Sequence, residues 1–112
     1  MRPEDKVRIL HMLEAEKSAV DFVAGRDRAA LDQDRMLLFA LVRAIEIIGE
    51  AATKVSVETR ENTPAVPWSR IVGMRNPLMH AYFDVDPDIP WRTATEEVPS
   101  LIASLKPLIG DP

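Results

Sequence analysis

Arg75 and His80 are the two side chains of this 112-residue sequence whose types and setting suggest phosphodiester chemistry. They lie in GMRNPLMHAYFDVD, residues 73–86. Residues 62–83 hold Arg70, Arg75 and His80 and no acidic residue, although the whole chain has 14 basic against 18 acidic side chains and a net charge of −4. The sole tyrosine, Tyr82, is in the same stretch. A neutral imidazole, titrating near pH ~6.5, can take the proton from a ribose 2′-hydroxyl as that oxygen attacks the adjacent phosphorus. An arginine fork can hold the phosphate and stabilise the charge that grows on its oxygens. Neither step needs a cofactor or a metal.

The spacing alone does not join the two groups. On an ideal helix Arg75 and Tyr82 share one face, Asn76 and His80 another, and Arg75 and His80 stand about 140° apart. Pro77 alters this, because its ring disfavours α conformation at Asn76 and crowds the carbonyl of Gly73, a residue that yields easily. A helix distorted there brings guanidinium and imidazole towards one site, with Asn76 orienting them. The competing reading of the same residues is structural, with Arg75 in an ion pair and His80 a satisfied polar group near a helix end.

Other chemistries find little support. With no cysteine and only two histidines, His11 and His80, no set of three or four zinc ligands at suitable spacing is evident. Gly25, Gly49, Gly73 and Gly110 are scattered, so no phosphate-cradling loop is present. His11, in the first helix, reads as a surface or half-buried structural residue. The acidic balance argues against bulk polyanion binding, so any contact with nucleic acid must come from a local patch. Lack of cysteine suits a reducing cytosol, and the charged start MRPEDKVRILHMLEAEK argues against a signal peptide, which together predict a cytoplasmic protein that engages no membrane.

The elements that must position the site are helical. Apolar residues recur at helical spacing, and strand alternation is missing. A first helix is predicted over 2–24, with Pro3 in its first turn, Gly25 as its stop, and Ile9, Leu13, Val20 and Val23 near one face. Residues 26–33 allow one or two turns, and Asp32 and Asp34 offer N-cap oxygens to a central helix over 35–55. Its start, MLLFALV at 36–42, is apolar all round, which predicts burial on most sides. Arg43, Glu46, Glu50 and Lys54 then form one polar stripe, either solvent-facing ion pairs or the wall of a cleft or partner surface. Residues 56–66 read as a polar connector, Pro67 as a helix opening, 84–90 as an acidic turn, and 91–109 as a helix kinked near Thr95–Pro99. The expectation is one all-α domain over 1–112, an up-and-down bundle of four to five helices. A domain this small buries only about two-thirds of its unfolded surface, which leaves room for a second copy to complete the core.

Residues 75–82, Arg-Asn-Pro-Leu-Met-His-Ala-Tyr, resemble the RX4HXY signature of HepT-like toxins in the HEPN superfamily of ribonucleases. AIEIIGEAATKVS (44–56), PWSRIVGMRN (67–76) and YFDVDPDIPWRTATEEVPSLI (82–102) are also similar to that family. The resemblance implies an all-helical homodimer whose motif helices form a metal-independent endoribonuclease cleft. It implies catalytic roles for Arg75 and His80, with Asn76 assisting, and no cofactor. It further implies the toxin of a type VII (HepT/MntA-type) toxin–antitoxin pair acting on RNA. The cognate minimal nucleotidyltransferase antitoxin would silence it by transferring AMP from ATP to Tyr82. Glu46, in the stretch resembling the family's central helix, is a candidate supporting residue behind the catalytic pair. Pro77 departs from the usual helix-favouring spacer, and some superfamily members bind nucleic acid without cutting it. A binding module for nucleic acid or for the nucleotidyltransferase is therefore the alternative, and a plain helical adaptor the third reading.

Overall fold

The computed structural model describes residues 1–75 and 86–110, and the described residues form helices and turns with no strand among them. Helix α1 (Pro3–Val23) begins with a proline in its first turn, and the chain leaves it through Gly25 at φ 70°, a conformation only glycine adopts cheaply. Its buried stripe is Ile9, Met12, Ala15, Glu16, Ala19 and Val23, while Leu13 and Val20 are only half-buried. The core-facing stripe is thus centred on Met12 and Ala19, which apolar spacing alone had not separated from Leu13 and Val20.

One turn, α2 (Ala30–Gln33), precedes α3 (Arg35–Thr53). Asp34 caps α3, its Oδ1 accepting from the Leu37 amide at 3.1 Å. Asp32 instead pairs with Arg28 at 3.1 Å. Helix α3 packs along α1 and supplies much of the core, with Leu41, Ile45, Ile48 and Ala52 fully enclosed. In its first half Leu37, Leu38, Leu41 and Val42 are buried as expected, but Met36 is 82% and Phe39 44% exposed, so one side of the apolar run is open.

The connector after α3 is not structureless, because α4 (Val57–Glu61) forms within it. Ser56 caps it by accepting from the Thr59 amide at 3.2 Å, and buried Asp5 of α1 ties the cap down. Asp5 accepts from the Ser56 amide (2.8 Å), the Ser56 hydroxyl (2.6 Å) and the Thr59 hydroxyl (2.7 Å). Pro67 then opens α5 (Trp68–Val72), anchored by Trp68, whose indole N–H donates to the Thr63 hydroxyl at 2.9 Å. A 3-10 turn, Gly73–Arg75, follows.

The last stretch runs as α6 (Asp88–Arg92), a π-helical turn (Thr93–Glu97) and α7 (Val98–Leu105), then a 3-10 turn, Lys106–Ile109. Pro99 has no amide to give the Thr95 carbonyl, and the turn before it widens to π spacing, which places the irregularity where the sequence expects a kink. Asp88–Pro90, expected to lie in the acidic turn at 84–90, belong to α6. Val98, Leu101 and Leu105 close the core against α1.

Candidate functional site

The 3-10 turn that carries Arg75 is held against the middle of α3. Met74 is buried, and the backbone of Met74 and Arg75 lies directly over Gly49. A Cβ added to Gly49 would stand 2.5 Å from the Arg75 nitrogen and 2.9 Å from the Met74 carbonyl carbon. Only a residue without a side chain lets the two backbones approach this closely. Trp68 and Ile71 of α5, both buried in the core, hold the incoming chain, so the position of Arg75 is set by packing upstream and by Gly49 beneath.

Arg75 itself is exposed, and among the described residues it pairs with no carboxylate. Arg70, five residues earlier and the other cation of the acid-free stretch, is taken up by an ion pair with Glu97 of the π-helical turn. The two arginines of the acid-free stretch therefore have different surroundings. An exposed guanidinium on a backbone this tightly seated is suited to gripping an incoming anion.

Glu46 lies one helical turn before Gly49 on α3, is half-buried, and accepts from Arg43 at 3.0 Å. Of the expected polar stripe, Arg43, Glu50 and Lys54 are exposed. Arg43 pairs forward to Glu46, and Lys54 caps α3 without a carboxylate partner among the described residues. Asn76, His80 and Tyr82, with Pro77, lie outside the described residues. His11 is exposed on α1 and faces a groove between α1 and α3.

Two features had no place in the sequence reading. Gly49 bears the turn on which Arg75 sits, and its only signal was an isolated glycine in a helical pattern, IIGEAAT. Glu16 is fully buried in the core face of α1, and neither carboxyl oxygen has a hydrogen-bond partner among the described residues; burial pushes its pKa up to about 8.

Comparison with known proteins gives the family of the chain. A family model described as "Ribonuclease HepT-like" matches residues 12–108. The chain belongs to the HepT-like ribonuclease family. It is 35% identical to "Putative RNase MJ1380" of Methanocaldococcus jannaschii, over 86% of this chain and 88% of that one. It is 37% identical to "Putative RNase TTE0752" of Caldanaerobacter subterraneus, over 88% of each chain. Over 61% of this chain and 62% of the relative, it is 43% identical to "Probable ribonuclease HepT" of Thermococcus cleftensis. No solved structure matches the chain. The all-helical architecture is that expected of this family, and among the described residues no helix is long and apolar enough to cross a membrane.

Proposed function

We propose that this protein is a metal-independent endoribonuclease in which Arg75 and His80 act on one phosphodiester. The observation that carries the reading is the seat of Arg75: an exposed side chain with no carboxylate partner among the described residues, on a backbone packed over Gly49, in a chain of a ribonuclease family. Arg75 grips the non-bridging oxygens and opposes the charge that accumulates on them. His80 takes the proton of the ribose 2′-hydroxyl, the 2′-oxygen bonds to phosphorus, and the bond from phosphorus to the 5′-oxygen breaks as that oxygen takes up a proton from water. A 2′,3′-cyclic phosphate and a 5′-hydroxyl remain. Asn76 orients the pair, and Glu46 supports it from α3.

In this reading the working unit is a homodimer. Met36 and Phe39 on α3, both exposed, offer a second copy an apolar surface. The protein serves as the toxin of a toxin–antitoxin pair in the cytoplasm, and its partner is a minimal nucleotidyltransferase. That enzyme transfers AMP from ATP to the Tyr82 oxygen, releasing pyrophosphate. The added anion beside the cleft repels RNA and fills the site.

The test is cleavage of RNA by the purified protein in EDTA. Arg75→Ala and His80→Ala are expected to lower the rate by about 100-fold or more with an unchanged melting curve. Wild-type rates in both variants would remove the assignment. RNA binding without cleavage by the wild type would select the binding module instead. Mass spectrometry after co-expression with the nucleotidyltransferase is expected to find AMP on Tyr82, and an unmodified tyrosine under those conditions would exclude that control.

A further inference from the structure

Helices α1 and α3 run antiparallel, so Arg8 of α1 comes to Lys54 of α3 at one end and Phe22 comes to Ala40 at the other. Between them is a groove with two contrasting halves. One half is a trough of about 390 Å³ floored by Ala15, Ala40, Ala44 and Ile47, with the Phe22 ring at its end and Glu14 and Ser18 on its α1 wall. The other is a hollow of about 190 Å³ walled by Arg8, His11, Arg43 and Lys54, with Glu50 as its one acid. His11, Arg43 and Ile47 border both, so the two are continuous. In a chain of net charge −4 this hollow gathers three cations against one carboxylate. Arg43 is shared with Glu46, but among the described residues neither Arg8 nor Lys54 has an ion-pair partner.

We propose that this hollow is a phosphate subsite for the RNA substrate, with the neighbouring trough receiving a base. The ligand class follows from the pattern of the groove. Single-stranded RNA alternates an anionic phosphate with a flat, largely apolar base, and the groove alternates a cationic hollow with an apolar trough ending in an aromatic ring. Arg8 and Arg43 present guanidinium forks, Lys54 a mobile ammonium and His11 a ring N–H, a donor set that matches phosphate oxygens. Lys54 lies five residues from Gly49, about 7.5 Å along the α3 axis and about 140° around it, so a strand bound in the hollow passes on a different side of α3 from the Arg75 seat.

The subsite rests on the ribonuclease reading, and one experiment separates the two. Binding of a fluorescein-labelled single-stranded oligoribonucleotide is measured across a salt series, alongside cleavage at saturating RNA. The proteins are the wild type, Arg8→Gln/Lys54→Gln, and Lys17→Gln as a control on another face of α1, about 120° from His11. The double variant is expected to bind about 10- to 30-fold more weakly at low salt. The slope of log affinity on log salt should fall by about 1.4, the loss of two phosphate contacts on a single strand. Cleavage at saturation should stay at the wild-type rate, and Lys17→Gln should match the wild type throughout. Unchanged affinity and slope in the double variant overturn the subsite while leaving wild-type cleavage, and so the ribonuclease reading, standing. Binding that depends on Arg8 and Lys54 without cleavage keeps the subsite and removes the ribonuclease reading. Failure of the wild type to bind removes both. A change in sedimentation of the double variant with no change in salt slope assigns the hollow to a protein contact and overturns the proposal.

Discussion

The two flanks of α3 do different work. On one, the backbone of Met74 and Arg75 rests on Gly49, a contact with no side chain between the two chains and no room for one. On the other, Arg43 and Lys54 meet Arg8 and His11 across an open hollow, where long side chains can move several ångströms without losing their charge. The first flank fixes a group in place; the second attracts. A reacting guanidinium loses its advantage with displacements of about 1 Å, whereas electrostatic attraction falls off gently with distance. Sensitivity to substitution should follow that division.

Gly49→Leu is the most severe way to probe the contrast. Helix propensity alone favours leucine over glycine at an interior position. Here the added side chain collides with backbone, so the variant is expected to lose about 1–3 kcal/mol of stability and to cleave about 100-fold more slowly. A variant that melts higher and cleaves normally would show that the close approach is unimportant. Arg75→Lys comes next: it keeps the charge and discards the planar fork, and cleavage should fall by about 10-fold with little change in melting. Equal rates would mean that charge alone suffices on this flank too.

A stability measurement tests α1, which builds the second flank. Two carboxyl groups are buried on this one helix, and their environments are opposite. Burial pushes Asp5 up, but the hydroxyls of Ser56 and Thr59, the Ser56 amide and nearby Arg2 together outweigh it and hold the carboxyl below its usual range. Its contribution to stability is present above pH 3.8 and is lost as pH falls through the lowered folded value. Glu16 has no such partners and reaches about 8. Its neutral form favours folding below pH 4.5, and that advantage is lost as pH rises towards 8. The wild type should therefore lose about 1 kcal/mol per pH unit within that window. Glu16→Met should abolish this slope, as thermal melts at pH 5 and pH 8 would show. An unchanged slope would place the pH dependence elsewhere. Smallest of all, Lys54→Gln alone should weaken RNA binding by about 3-fold and leave the saturated cleavage rate intact.

Much of the framework was readable from local chemistry. Pro3 and Gly25 bound α1, Asp34 caps α3, and Pro99 marks the irregular turn, because each acts within one helical turn of itself. What escaped depends on residues far apart in sequence. Helix α4 was hidden in a polar connector, since its cap is secured by Asp5, 51 residues before Ser56. Glu16 in the charged run EAEK gave no sign of full burial, and MLLFALV gave no sign that Met36 and Phe39 would be open. At the site, composition singled out the acid-free stretch and the motif singled out Arg75 within it, but neither shows what each arginine meets. The Arg70–Glu97 pair and the Arg75 seat supply that, while Asn76, His80 and Tyr82 stay outside the described residues.

The decisive measurement uses the substrate's own chemistry. A short RNA that the protein cuts at one bond is made with a single 2′-deoxyribose on the 5′ side of that bond, and both oligonucleotides are incubated with the wild-type protein in EDTA. If the ribose 2′-oxygen is the nucleophile, activated by His80 while Arg75 holds the phosphate, the unmodified RNA yields a 2′,3′-cyclic phosphate and the deoxy-substituted bond stays intact. Equal cleavage of both would contradict the account.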